Sequence, residues 1–171
     1  MSDRAFTADR LLIAVPGLLA VLLVMLGVVP LGVPFVGPML PDFALIAVYV
    51  FAVQRPDLMP HWLAFLVGLL QDLLSGGPLG FGALICLGVQ GLCSAQRRFL
   101  VGRPFAIGWI AFALVALAAG VVGWLLACVY YFTLVAPAPA LLQFAITVAL
   151  FPLVAAPLLT VCHRLAQVGN P

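Results

Sequence analysis

The chain sets long apolar runs between brief polar interruptions. Residues 11–29 (LLIAVPGLLAVLLVMLGVV), 105–127 and 141–163 are continuous apolar stretches. Each has the length a spanning helix needs, about 20 residues for a hydrocarbon core roughly 30 Å thick. Three further runs, 42–54, 61–74 and 79–95, are shorter. At 1.5 Å of rise per residue the first two of these reach only about 20 Å. They must borrow flanking residues, thin the bilayer, or be shielded by other helices. Residues 30–40 (PLGVPFVGPML) are uncharged and hold Pro30, Pro34 and Pro38. They are the expected irregular element, since such backbone is tolerated at membrane depth only where protein or a cavity covers it. The pattern predicts an all-α integral membrane protein with about six transmembrane helices, short or irregular in the middle, forming one transmembrane domain over 1–171.

Composition excludes a soluble domain. Of 171 residues, 66% are hydrophobic and 7% charged, against roughly 45–50% and about 25% in soluble folds. A water-exposed fold needs a charged skin that this chain lacks. Its charges are seven arginines (Arg4, Arg10, Arg55, Arg97, Arg98, Arg103, Arg164) and five aspartates (Asp3, Asp9, Asp42, Asp57, Asp72). A scattered net charge of +2 points to no nucleic acid. The bilayer is the partner that composition requires. Residues 11–29 follow Arg–Asp clusters, as a signal peptide would, but the run is long and no small-residue cleavage site follows. It reads as an uncleaved first span.

The arginines set the topology. Six spans leave interruptions at the N-terminus, 30–41, 55–60, 75–78, 96–104, 136–140 and the C-terminus. Every arginine falls in the first, third, fifth or last of these. Arginine-bearing segments stay cytoplasmic, so six spans put both termini inside, whereas five would strand some arginines outside.

Few residues break the apolar pattern, and those are the candidates for chemistry. A carboxylate at the centre of a span costs roughly 2.5–3.5 kcal/mol on insertion scales, so it faces protein and finds partners. Asp42 follows Pro41 at the start of the second span, where it suits a helix cap; a functional contact is compatible with that. Asp72 lies beside Gln71, one turn after Gly68 and ahead of a turn containing Gly76, Gly77, Pro78 and Gly80. Two readings stand. It is either a polar helix end near the headgroups, or an inward carboxylate that hydrogen-bonds across the bundle and pins the broken 75–82 segment. No second acid continues along a helix, which disfavours an ion or proton relay.

His61 beside Trp62, and His163 beside Arg164, read as interface residues. Cys86, Cys93, Cys128 and Cys162 have no metal-binding spacing, and no nucleophile–base set is present. No catalytic, cofactor or metal site is expected. Small residues four apart, Gly91 and Ala95, Ala116 and Gly120, Ala119 and Gly123, Gly123 and Ala127, suit close helix packing in lipid. They serve either the internal bundle, the favoured use, or a partner helix.

The stretch from Pro41 to Gly82 resembles the MreD family of rod-shape-determining membrane proteins. Pro41 and Asp42 open a short apolar helix, an arginine-bearing loop follows, and then GLLQDLLSGGPLG carries Gly68, Gln71, Asp72, Gly76, Gly77, Pro78 and Gly80. The motif covers about a quarter of the chain; the remainder is similar in hydropathy. The resemblance implies a non-enzymatic component of the bacterial elongation machinery in the inner membrane. It would bind an MreC-like protein and help couple MreB filaments to RodA and its penicillin-binding transpeptidase partner. The family also resembles the substrate-binding subunits of energy-coupling-factor transporters, which makes a vitamin-binding subunit the alternative. Such a subunit needs an outward pocket with convergent polar groups, and the loops without arginine offer almost none, leaving Gln71 and Asp72 nearly alone.

Reporter fusions at both termini are expected to report the cytoplasm. A periplasmic C-terminus would rule out six spans.

Overall fold

The computed structural model describes residues 17–27 and 41–168, the side chains of 163–168 excepted. The 30–40 segment, the ends of the 11–29 run, Asp3, Asp9, Arg4, Arg10 and the His163 and Arg164 side chains lie outside the described residues. The elements are helical throughout. They are α1 (Gly17–Gly27), α2 (Phe43–Gln54), a 3-10 turn (Pro56–Leu58), α3 (His61–Ser75), α4 (Phe81–Leu100), α5 (Phe105–Tyr131) and α6 (Ala138–Val168). Two of them, Phe105–Tyr131 and Ala138–Cys162, are long and apolar enough to cross a membrane on their own.

The helix bounds follow the apolar runs closely, with one correction. Residues 96–104 read as a loop, but α4 continues to Leu100, so Arg97 and Arg98 occupy its last turn. Arginine is a good helix former whose stem can lie along apolar surface while its head reaches a polar layer. Cations are also favoured at a helix C-terminus. Gly102, at φ 80°, and Pro104 then supply the break before α5.

α2 is the axis of the molecule. Every residue from Ala44 to Val53 is buried. A helix apolar on all sides has no face to give to water, and burial in a protein interior is one solution. The neighbours supply that interior. Tyr49 meets Phe112 of α5 and Phe151 of α6 edge-on at 5.1 and 5.8 Å, and those two rings stack at 4.2 Å. The Tyr49 hydroxyl donates to the Gly108 carbonyl at 2.9 Å. α5 is just as apolar on all sides, yet only Phe112, Ala116 and Ala119 of it are buried. Ile110, Leu114, Val121 and Val129 are exposed, which suits acyl chains rather than water.

α6 carries Pro152 and Pro157 within its length. A proline lacks the N–H that would bond the carbonyl four residues back, so Pro152 frees the Val148 carbonyl. The Trp109 indole N–H of α5 donates to that carbonyl at 3.0 Å. A neighbouring helix thus satisfies the group that the proline leaves open, as a membrane interior requires.

α3 and α4 form an antiparallel hairpin, and Gly68 sets their separation. A Cβ at Gly68 would lie 2.6 Å from both the Ala83 Cα and the Gly82 carbonyl oxygen. Both are backbone, so nothing flexible can yield. Gly91, on α4, has open space where its Cβ would go. Gly68→Ala is therefore expected to cost about 1–3 kcal/mol, as overpacking does, and to lower the thermal midpoint in detergent. Gly91→Ala should leave it unchanged or raise it slightly through helix propensity, by at most about 1 kcal/mol. Equal midpoints for the two variants would contradict this packing.

Candidate functional site

The described arginines collect at one end of the helices, with Asp57 among them, and two aspartates lie at the other end. Arg55, Arg97, Arg98 and Arg103 lie where α2 and α4 finish and α5 begins. Asp42 and Asp72 lie at the other end, where α2 starts and α3 turns into α4.

The turn at the aspartate end is built on Asp72, which is only 8% exposed. Its Oδ2 accepts from the Gly80 N–H at 2.8 Å and the Ala83 N–H at 3.3 Å, and its Oδ1 from the Gly82 N–H at 2.9 Å. These amides open α4, whose first turn has no helical acceptors of its own. A carboxylate there meets the positive end of the helix dipole as well. Gly76 ends α3 at φ 67° and Gly80 precedes α4 at φ 100°, conformations that side chains with a Cβ resist. Of the two readings of Asp72, the geometry is that of an inward carboxylate holding the 75–82 segment.

Gly82, the last residue of the 75–82 segment but not among the candidates, belongs to the same clamp. A Cβ at Gly82 would come within 2.5 Å of Asp72 Oδ1. Two glycines a residue apart, Gly80 and Gly82, carried the signal.

Asp42 makes the companion site. Its Oδ1 accepts from the Leu45 N–H at 2.9 Å, capping α2, and from Gln71 Nε2 at 3.1 Å. Its own N–H donates to Thr147 Oγ1 of α6 at 3.0 Å, and that hydroxyl donates to the Gln143 carbonyl at 2.7 Å. Asp42 thus joins Gln71 of α3 to Thr147 of α6, with Pro41 before it in the chain and Asp72 next to Gln71 on α3. Gly77 and Pro78 remain on the turn, Gly77 fully open. Thr147 is 2% exposed and was legible only as a polar residue one turn from Gln143 on an apolar run. Gln143 and Thr147 join Gln71 here from helix positions rather than from loops.

A cavity of about 340 Å³ opens against this cluster, lined by Asp42, Gln71, Gln143 and Thr147 on its polar side. The small residues of α5, Ala116, Ala119, Gly120, Gly123 and Ala127, line its other side. Ala116 and Ala119 are also buried in the core, and a Cβ at Gly123 would lie 3.3 Å from Ile85 Cδ1, the internal packing expected of them, while Gly120 has open space beside it. Among the described residues no group of histidines, cysteines and acids is placed to hold a metal. Cys86, Cys93 and Cys162 are buried and free.

At the arginine end, Arg97 closes the other terminus of α2. Its Nε donates to the Val53 carbonyl at 3.2 Å and its Nη2 to the Gln54 carbonyl at 3.1 Å. Gln90 Nε2 donates to the Met59 carbonyl at 2.6 Å and so ties the 3-10 turn to α4. A lone polar residue in the middle of an apolar helix was the available clue to it.

The fold and the clamp define a helical membrane protein whose few polar side chains hold short, broken helices together. The family model for rod shape-determining protein MreD matches residues 8–160, and the chain belongs to that family. No curated protein and no solved structure matches it.

Asp72→Ala leaves three backbone N–H groups without an acceptor, at about 1–3 kcal/mol for each buried donor left unpaired. The expected result is a marked drop in thermal midpoint in detergent, partly restored by Asp72→Asn, which keeps one carbonyl oxygen. A midpoint unaffected by Asp72→Ala would show that the clamp contributes nothing.

Proposed function

We propose that this chain is a non-enzymatic inner-membrane component of the machinery that elongates rod-shaped bacteria. It binds an MreC-like protein and helps couple cytoplasmic MreB filaments to RodA and its penicillin-binding transpeptidase partner. The observation that carries this reading is the MreD family match across residues 8–160. The architecture agrees with such a role: the polar side chains on hand, Asp42, Asp72 and Arg97, are engaged with backbone.

Six crossings with both termini in the cytoplasm, within a single domain over 1–171, complete the proposal. Gathering Arg55, Arg97, Arg98 and Arg103 at one end of the described bundle supports this orientation, because arginine is retained on the cytoplasmic side. A short buried second helix and a broken hairpin also suit the likeness to energy-coupling-factor binding subunits. The cavity beside Asp42 favours the alternative, a vitamin-binding transporter subunit, as a second reading.

We assign Pro41, Asp42, Gly68, Gln71, Asp72 and the turn of Gly76, Gly77, Pro78 and Gly80 to holding a surface that the partner reads. Gly76→Leu is expected to reduce co-purification of the MreC-like protein, and Asp72→Ala to reduce it further. Unchanged recovery with both would remove this turn from partner binding. Depletion of the protein should round the cells; rods of normal shape that require a vitamin would favour the transporter reading instead.

A further inference from the structure

The cavity at the aspartate end is incompletely satisfied. Asp42 Oδ1 takes a bond from Gln71 Nε2, and this fixes how the carboxamide lies, because only the NH2 side can donate to a carboxylate. Gln71 Oε1 therefore faces away from Asp42. It is shielded from solvent and has no hydrogen-bond partner among the described residues. A carbonyl oxygen buried in this way normally finds a donor.

Charge is also unbalanced there. The partners of the Asp42 carboxylate, the Leu45 amide and the Gln71 carboxamide, are both neutral. Asp72 is nearby, and its own carboxylate is taken up by three backbone amides. The described arginines, Arg55, Arg97, Arg98 and Arg103, sit at the opposite end of the bundle. The remaining wall is apolar: Ala116, Ala119, Gly120 and Gly123 line it along α5, with larger side chains such as Phe81, Trp124 and Phe144 around them. A Cβ at Gly120 would meet nothing within 4 Å.

We propose that this cavity binds the primary-ammonium head of an amphiphile, with the apolar tail lying along the α5 wall. An ammonium group offers three N–H donors and no acceptor. That matches a carboxylate with only neutral partners next to an orphaned carbonyl, and charge-assisted bonds of this kind are the strong ones. A hydroxyl head would leave the Asp42 charge uncompensated, and an anionic head would be repelled by two carboxylates. Two sources carry the same chemistry: an ethanolamine phospholipid of the bilayer, and a free alkylamine. The proposal is independent of the partner assignment above, since it concerns the isolated chain.

The test is native mass spectrometry of the full chain in an amine-free detergent. Dihexanoyl phosphatidylethanolamine, dihexanoyl phosphatidylcholine and n-octylamine are titrated separately. Phosphatidylcholine has the same phosphate and tails, but its methylated head has no N–H to donate. At least one of the two amines is expected to bind about tenfold more tightly than phosphatidylcholine, the size of one or two charge-assisted bonds. Preference for the phospholipid identifies a lipid head as the source; binding of octylamine alone identifies a free amine. Gln71→Leu should weaken the amine by about tenfold, for loss of one such bond. Gly120→Leu should abolish binding while leaving the thermal midpoint near that of the parent. Equal affinity for phosphatidylethanolamine, phosphatidylcholine and octylamine overturns the proposal. So does no binding by either amine, or amine binding that survives both substitutions.

Discussion

A short helix enclosed on every side by its neighbours is the constraint on which the rest of this structure depends. α2 spans Phe43–Gln54, about 18 Å at 1.5 Å per residue. A helix end holds backbone groups with no partner in the helix itself. Inside a membrane each such group costs several kcal/mol if left open. The structure closes both ends with side chains. Asp42 takes the Leu45 N–H, and Thr147 takes the Asp42 N–H. Arg97 bridges the Val53 and Gln54 carbonyls at the other end. These contacts reach from α2 to α4 and α6, so satisfying one helix positions two others.

The same rule explains the remaining polar residues. Asp72 serves the first amides of α4, Trp109 serves the carbonyl released by Pro152, and Gln90 serves the Met59 carbonyl. In each case a side chain from one element answers a backbone group of another where regular helix breaks down. Such contacts supply what the hydrophobic effect cannot, because lipid is as apolar as the helices and gives them little reason to associate. The chain belongs to a rod-shape-determining family, and its described bundle is held by a few directional bonds of this kind.

Much of this was legible beforehand. The runs 42–54, 61–74, 105–127 and 141–163 match the described helices within a few residues, because a break in apolarity or a proline is a local event. Asp42 as a cap and Asp72 as the centre of a glycine-rich turn were readable for the same reason: each acts on amides close by in the chain. The partners across the bundle were not. Thr147 lies 105 positions from Asp42, and Arg97 lies 44 from Val53; no local pattern links such residues. Charge alone places Arg97 in a loop, whereas its helix propensity and long stem keep it in the last turn of α4. The small residues of α5 predict close packing, and Ala116 and Ala119 are indeed buried in the core; that Gly120 faces open space instead is something spacing alone does not carry.

By itself the sequence determined the medium, the helical class and where the helices fall, since these follow from how many apolar residues stand in a row. It also determined which residues would be costly to leave unpaired. Tertiary structure decided which apolar helix is buried. α2 and α5 are alike in being apolar on every side, yet α2 is enclosed by its neighbours and α5 turns most of its surface outward. The physical reason is that acyl chains and protein interior make nearly the same demand on a side chain. Only the arrangement of the other helices, and the hydrogen bonds that fix it, tells the two apart.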